Sequence, residues 1–259
     1  MRPRLVNISL ITCTLASLML SVAPTEAQTA NKQEKPPLYT YVSEWAVPRA
    51  MWADYQKMQT TENDSMTKLV ADGTLVAFGS FSVLNHQEGQ PTHGSWFSAT
   101  SMANILKVLE GLRSGPDATG PVFSASKHWD YILQSRDYNA HAGTFKNGYL
   151  RVGNWKYKAG ASDPDGKIMK ATMVAMLEKL LADGALHAYQ VDEESVHSND
   201  PNGFYLAIVT NGAEGLDKFY ASLEDTEKNN PASMAGFGSL LDEAGHRDTL
   251  SHVDTMTHK

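Results

Sequence analysis

Between residues 39 and 47 aromatic and small side chains alternate along Tyr-Thr-Tyr-Val-Ser-Glu-Trp-Ala-Val, the period of two that a strand with unlike faces requires. Pro48 suits the first turn of a helix, and Met51, Trp52, Tyr55, Met58, Met66, Leu69 and Val70 then recur at helical spacing until Gly73 ends the pattern. Two strand-like runs follow, about 75 to 85 and 93 to 100, joined by the polar link Gln87 to Thr92. Ser101 is placed to cap a second helix carrying Met102, Ile105, Leu106, Leu109 and Leu112, which Gly115-Pro116 stops. The pattern predicts β-α-β-β-α. The short apolar clusters Trp129 to Leu133 and Leu240 to Ala244 are read as helical appendages.

The same order returns in the second half. An offset of 111 lays Lys68-Leu69-Val70-Ala71-Asp72-Gly73-Thr74-Leu75-Val76-Ala77-Phe78 over the run Lys179 to Tyr189 with seven of eleven positions identical, where chance gives about one. That offset also pairs His86 with His197, Arg136-Asp137 with Arg247-Asp248 and His141 with His252, while an offset of 110 pairs Tyr39, Val42 and Trp45 with Tyr149, Val152 and Trp155. One residue of length difference between the first strand and the first helix accounts for both. So long a period excludes a solenoid and predicts a duplicated unit, 38–146 and 147–259.

Composition changes this picture at the N-terminus. Arg2 and Arg4, the apolar stretch Leu5 to Val22 and the small-residue site Thr25-Glu26-Ala27 have the three regions of a secretory signal peptide, so cleavage is expected after Ala27, followed by a flexible leader over 28–37. The expected location is secreted or periplasmic. Cleavage would remove Cys13, the single cysteine, so no disulfide can brace the mature fold. A formal net charge of −7, with no basic stripe, argues against nucleic acid and anionic membranes as partners, and no second apolar stretch is long enough to span a bilayer.

Element order, the Ala-Asp-Gly helix end before a strand and the duplication together resemble the dimeric α+β barrel superfamily, in which antibiotic-biosynthesis monooxygenases, muconolactone isomerases and the chlorite dismutase group fall. The resemblance covers nearly all of the chain beyond the leader and includes no catalytic signature. It implies an α+β fold of two tandem ferredoxin-like βαββα repeats, closed as an intramolecular dimeric α+β barrel with extra helices after each repeat. Further oligomerisation is left open.

If the sheets face each other across a cavity, strand alternation assigns side chains to it. Tyr41, Ser43 and Trp45 are then expected inside from the first repeat, with Gly79 and Phe81, and Arg151, Gly153 and Trp155 from the second, with Gln190 and Asp192. The candidate ligand-binding set is Tyr41, Trp45, Phe81, Arg151, Trp155, Gln190 and Asp192. A slip of one residue would invert the assignment. His86 and His197, near strand ends, are the candidate proton carriers. No cofactor and no metal is expected: there is no HExxH or cysteine pair, and His246, His252 and His258, six apart, do not keep one helical face. The near-phosphate loop Gly160 to Lys167 and the near-calcium loop from Asp163 fail at key positions and are read as one turn.

These features point to an extracytoplasmic protein that binds a small organic molecule in a cavity between two repeats. Three alternatives stay open: a cofactor-independent monooxygenase or isomerase acting on a small aromatic substrate, a haem-binding barrel using an inward histidine, and a non-catalytic structural protein. Whether the chain is an enzyme is undecided at this point.

Overall fold

Gly73 and Gly184, which the sequence places at helix ends, adopt the left-handed backbone there (φ +83° and +70°). At these ends Gly73 N donates to Val70 O at 3.2 Å and Gly184 N to Leu181 O at 3.0 Å, so the same glycine turn leads the chain from helix toward strand in both halves. The computed structural model describes residues 35–115, 120–161, 163, 166–196 and 203–259. The signal-peptide reading, most of the 28–37 leader and His197 lie outside the described residues.

The first half runs β1 (Leu38–Ala46), α1 (Trp52–Ala71), β2 (Ala77–Val83), β3 (His93–Ala99), α2 (Met102–Arg113), α3 (Pro121–Ala125) and β4 (Lys127–Ala140). After the short β5 (Gly143–Phe145) the order recurs: β6 (Gly148–Tyr157), α4 (Lys167–Met169) continuing through a π turn (Lys170–Val174) into α5 (Ala175–Ala182), β7 (Leu186–Glu194), β8 (Gly203–Thr210), α6 (Ala213–Asn229), α7 (Pro231–Leu240) and β9 (Leu241–His258). The strands lie in the order β2-β3-β1-β4-β7-β8-β6-β9, and β9 returns to pair with β2, closing eight antiparallel strands into a barrel. β5 extends the sheet beside the end of β9. Among the described residues no helix is long and apolar enough to cross a membrane.

Two expectations need correction. The clusters read as helical appendages, Trp129 to Leu133 and Leu240 to Ala244, belong mainly to strands β4 and β9; the short helices α3 and α7 precede them. The physical reason is the seams: β4 pairs with β1 on one side and β7 on the other, and β9 joins β6 to β2, so these long strands satisfy their backbone groups across both halves. Strand parity on β1 and β6 is also inverted. Thr40, Val42 and Glu44, with Leu150 and Val152, face the barrel interior. Tyr41, Ser43 and Trp45, with Arg151, Gly153 and Trp155, take the outer face.

Bulk is needed outside, where the sheet must cover helices. Tyr41 and Phe97 meet Met66, Val70, Ile105 and Val108 of α1 and α2, and the second half buries Leu177, Phe204, Ile208 and Phe219 in a larger cluster. The interior is filled separately by Phe81, Leu150, Val209, Val253 and Met256, with Trp96 against them. Two glycines make that filling fit. A Cβ on Gly79 would lie within the Trp96 ring, and one on Gly94 within the ring of Phe81, each the cross-strand partner of the glycine concerned.

Candidate functional site

The barrel interior and the outer face of the first half offer very different spaces. The interior retains only about 80 Å³ of free volume. Of the expected site residues, Phe81, Gln190 and Asp192 line it, and sequence reasoning missed Glu44, Tyr131, Glu194 and Tyr205 at its polar end. There Ser135 Oγ donates to Asp192 Oδ1 at 2.5 Å and Tyr205 OH donates to Glu194 Oε1 at 3.0 Å. The Tyr131 and Tyr205 rings stack at 5.5 Å. Burial pushes the Asp192 carboxyl up to about 7, the Ser135 hydrogen bond opposing it, and burial likewise raises Glu44 against a hydrogen bond from Tyr131. Small-molecule pockets run to about 300–1,000 Å³, so this interior is a packed core with buried carboxyls and not the ligand chamber expected from sequence.

A groove of about 680 Å³ lies instead between α1, α2 and the outer face of β1, β3 and β4. Tyr41, Trp45, Tyr55, Phe97 and Phe123 give it aromatic walls, and Ser43, His128 and Asp130 a polar floor. Alternation along β4 sends His128, Asp130 and Ile132 outward while Tyr131 and Leu133 point in. Pairing of Trp45 with His128 and of Ser43 with Asp130 across β1 and β4 then assembles the floor.

The floor is one hydrogen-bonded chain. Trp45 Nε1 donates to Ser43 Oγ at 2.8 Å, and Ser43 Oγ lies 2.9 Å from His128 Nε2. The serine oxygen keeps its own proton and a second lone pair, so with His128 protonated on Nδ1 the hydroxyl donates to Nε2, and with His128 protonated on Nε2 it accepts. The imidazole stacks on Trp45 at 3.7 Å and 12°. Desolvation holds His128 below the usual imidazole range, opposed by the charge of Asp130, so near neutral pH it is uncharged and has a lone pair with which to accept a proton. Tyr41 OH donates to Asp130 Oδ2 at 3.1 Å; burial first, then Asp130, pushes that phenol up and keeps it a donor.

The second half repeats the stack but not the space. Trp155 lies on His246 at 3.5 Å and 12°, and Arg151 bonds Asp248 at 2.8 Å. Above them Met169, Met173, Leu177, Phe219 and Phe237 join Phe204 in one apolar cluster with Trp155 packed against it. Arg151 and Asp192, both assigned inward from the sequence, lie on opposite faces of the barrel wall, Arg151 pairing with Asp248 outside and Asp192 lining the interior.

His86 reaches neither space. It is exposed beyond the end of β2, its Nδ1 3.3 Å from Val83 O and its ring edge-on to Trp52 at 5.8 Å. Among the described residues no group of histidine, cysteine, aspartate or glutamate could hold a metal ion.

A haem fits neither space. Among the described residues, His258 at the end of β9 is the single histidine lining the interior, whose free volume is far too small. In the groove, His128 spends Nε2 on Ser43 and lies flat on Trp45, while Glu62, Glu110 and Asp130 would face the propionates of a haem with Arg113 as the lining guanidinium.

No protein-family model matches the chain, and no curated sequence does. Solved structures match its fold. A proposed monooxygenase of Lactobacillus acidophilus superposes with a TM-score of 0.63 at 12% identity, covering 86% of this chain and 97% of the other. A proposed monooxygenase of Fusobacterium nucleatum gives 0.62 at 10% identity, covering 87% and 96%. An anthrone oxidase-like protein gives 0.52 at 10%, covering 87% and 94%. Identity at this level speaks for architecture alone. The closed eight-stranded antiparallel barrel wrapped in helices is a fold the chain shares with these proteins over almost their full length.

Proposed function

We propose that the protein binds a planar aromatic small molecule in the groove of its first half and oxidises it with dioxygen without a cofactor, His128 receiving the proton that leaves the substrate. One observation carries this reading: the Trp45–Ser43–His128 chain with Asp130 forms the floor of an open aromatic groove, whereas the matching stack in the second half is packed under apolar side chains. A CH-acid or phenol seated on Ser43 can lose its proton to Ser43 Oγ while Ser43 passes its own to His128 Nε2, and Asp130 then stabilises the imidazolium. The substrate carbanion supplies the electrons that reduce dioxygen.

The similarity to an anthrone oxidase-like protein suggests anthrone as probe. Anthrone plus O₂ gives anthraquinone plus water, so the balance needs no other oxidant. Air-saturated anthrone should turn over faster with the protein than without it, with one O₂ consumed per quinone, and His128→Ala should lose that acceleration. If anthrone neither turns over nor binds, the reading fails.

We also infer that the fold arose from two tandem ferredoxin-like repeats, 38–146 and 147–259, supported by the shared offset in sequence and the matching glycine caps. Export beyond the cytoplasm remains part of the proposal, motivated by the N-terminal pattern. N-terminal sequencing of protein recovered from its native host should begin at Gln28; a start at Met1 in the mature protein would refute export by this signal. The filled interior supports assigning the barrel itself a structural role, with function on its outer face.

A further inference from the structure

The groove of the first half is bounded by more negative than positive charge. α1 places Glu62 one turn beyond Met58, α2 places Glu110 one turn beyond Leu106, and β4 adds Asp130 on the floor. Among the described residues Arg113 is the single lysine or arginine that lines it. Arg113 stands three residues after Glu110 in the last turn of α2, so its charge offsets that carboxylate first. Glu62 and Asp130 act together on Tyr41: burial first, then the hydrogen-bonded Asp130 and more weakly Glu62, raise its phenol. Glu62 likewise adds to the burial that raises Tyr55. Leu112, Arg113 and Gly115 bring the C-terminal end of α2 to the same space, and the carbonyl end of a helix carries partial negative charge.

This field bears on the proton transfer through Ser43 to His128. A neutral substrate that gives up a proton becomes an anion among these carboxylates, and like charge opposes its formation. A cationic substrate becomes neutral by the same loss. Its C–H or N–H bond breaks, the electron pair stays on the ring, the proton goes to Ser43 Oγ, and the serine's own proton goes to His128 Nε2. The positive charge has then moved from the ligand to the imidazolium near Asp130, and no negative charge has been created.

We propose that the substrate of the groove is a planar aromatic cation, its positive charge carried on or beside the ring and held by Glu62 and Asp130. This rests on the groove being the binding site, as argued above, and adds the charge of what it takes. The aromatic walls select a flat ring, and the carboxylates select its sign.

The test titrates three fluorescent probes of equal ring size into the protein near pH 7.5 at low salt: 10-methylacridinium as the cation, acridine as the neutral ring and anthracene-9-carboxylate as the anion. The cation should bind about fivefold more tightly than acridine, and acridine more tightly than the anion by a similar factor. Sodium chloride should shrink both ratios. Glu62→Gln should cut the cation-to-acridine ratio by about half, and Glu110→Gln, at an exposed position on α2, should lower it in the same direction. Glu227→Gln removes the same charge from an exposed position on α6 in the second half and should leave the ratio as in the parent, which separates the groove's own field from net charge. The proposal is overturned if acridine binds as tightly as the cation, if the ratio survives in both groove variants, or if Glu227→Gln lowers it equally. Acridine binding without a preference for the cation would overturn this inference and leave the groove as the binding site; failure of all three probes to bind would overturn both.

Discussion

Replacing Asp192 by asparagine should make the protein more stable, increasingly so as pH rises from 4 to 7. The carboxyl is 1% exposed inside the barrel and receives one hydrogen bond, from Ser135, that an asparagine oxygen would also accept. Burial lifts it from 3.8 to about 7 in the folded protein, while the unfolded chain retains the ordinary value. The raised folded value means that folding takes up a proton across this window. The stability from the protonated form is complete below pH 3.8, declines as pH rises, and is gone once pH passes about 7. A shift of this size corresponds to about 4 kcal/mol between those limits. Asp192→Asn has no such dependence, so the variant-minus-parent difference should grow by roughly that amount and then level off. Urea midpoints at pH 4, 5, 6, 7 and 8 for both proteins give the difference directly, other titrating groups being common to the two. Parallel stability curves over this range would refute the reasoning and place Asp192 in contact with water.

Gly79→Ala should destabilise the barrel by about 1–3 kcal/mol through overpacking against Trp96, and a Trp96→Leu background should recover most of it; thermal melts of the four-member cycle check this. Gly184→Ala meets no neighbouring atom, so its loss of about 1 kcal/mol should come from the positive φ alone, and Gly184→Asn should lose less in the same melt. If His128 is the proton acceptor, the acid limb of anthrone turnover should fall below pH 6.5, because desolvation depresses its imidazole. Asp130→Asn should move that limb lower still, since the Asp130 charge is what opposes the depression.

Much of this architecture was legible in the sequence because local chemistry and global fold agree there. Gly73 and Gly184 cap their helices as read, and Phe81, Gln190 and Asp192 face inward as strand alternation assigned them. Parity failed on β1 and β6 because an aromatic residue suits either a cavity or a helix-covered face, and sequence alone does not say which side of a sheet needs the bulk. Tyr41, Trp45, Arg151 and Trp155 consequently moved outside, leaving Glu44 within. His128 and Asp130 were missed for a related reason. The run from Trp129 to Leu133 is short and apolar enough to pass for a helix, whereas the period of two along β4 places His128 and Asp130 on one face. Seam strands satisfied by distant partners leave little local signal.

The closure of the barrel by β9 sets a condition on how the protein is made. Ser82 pairs with His252 and Ala77 with His258, so the second seam cannot form until almost all of the chain has left the ribosome. Until then β2, with the sequence Ala-Phe-Gly-Ser-Phe-Ser-Val, is an uncharged edge with open backbone donors and acceptors. Such an edge is a template for another strand, and during synthesis the nearest one of matching sequence belongs to a neighbouring nascent copy. Shortening β9 by its last turn of pairing would make that transient hazard permanent, and the product to expect is intermolecular sheet rather than a loosened monomer.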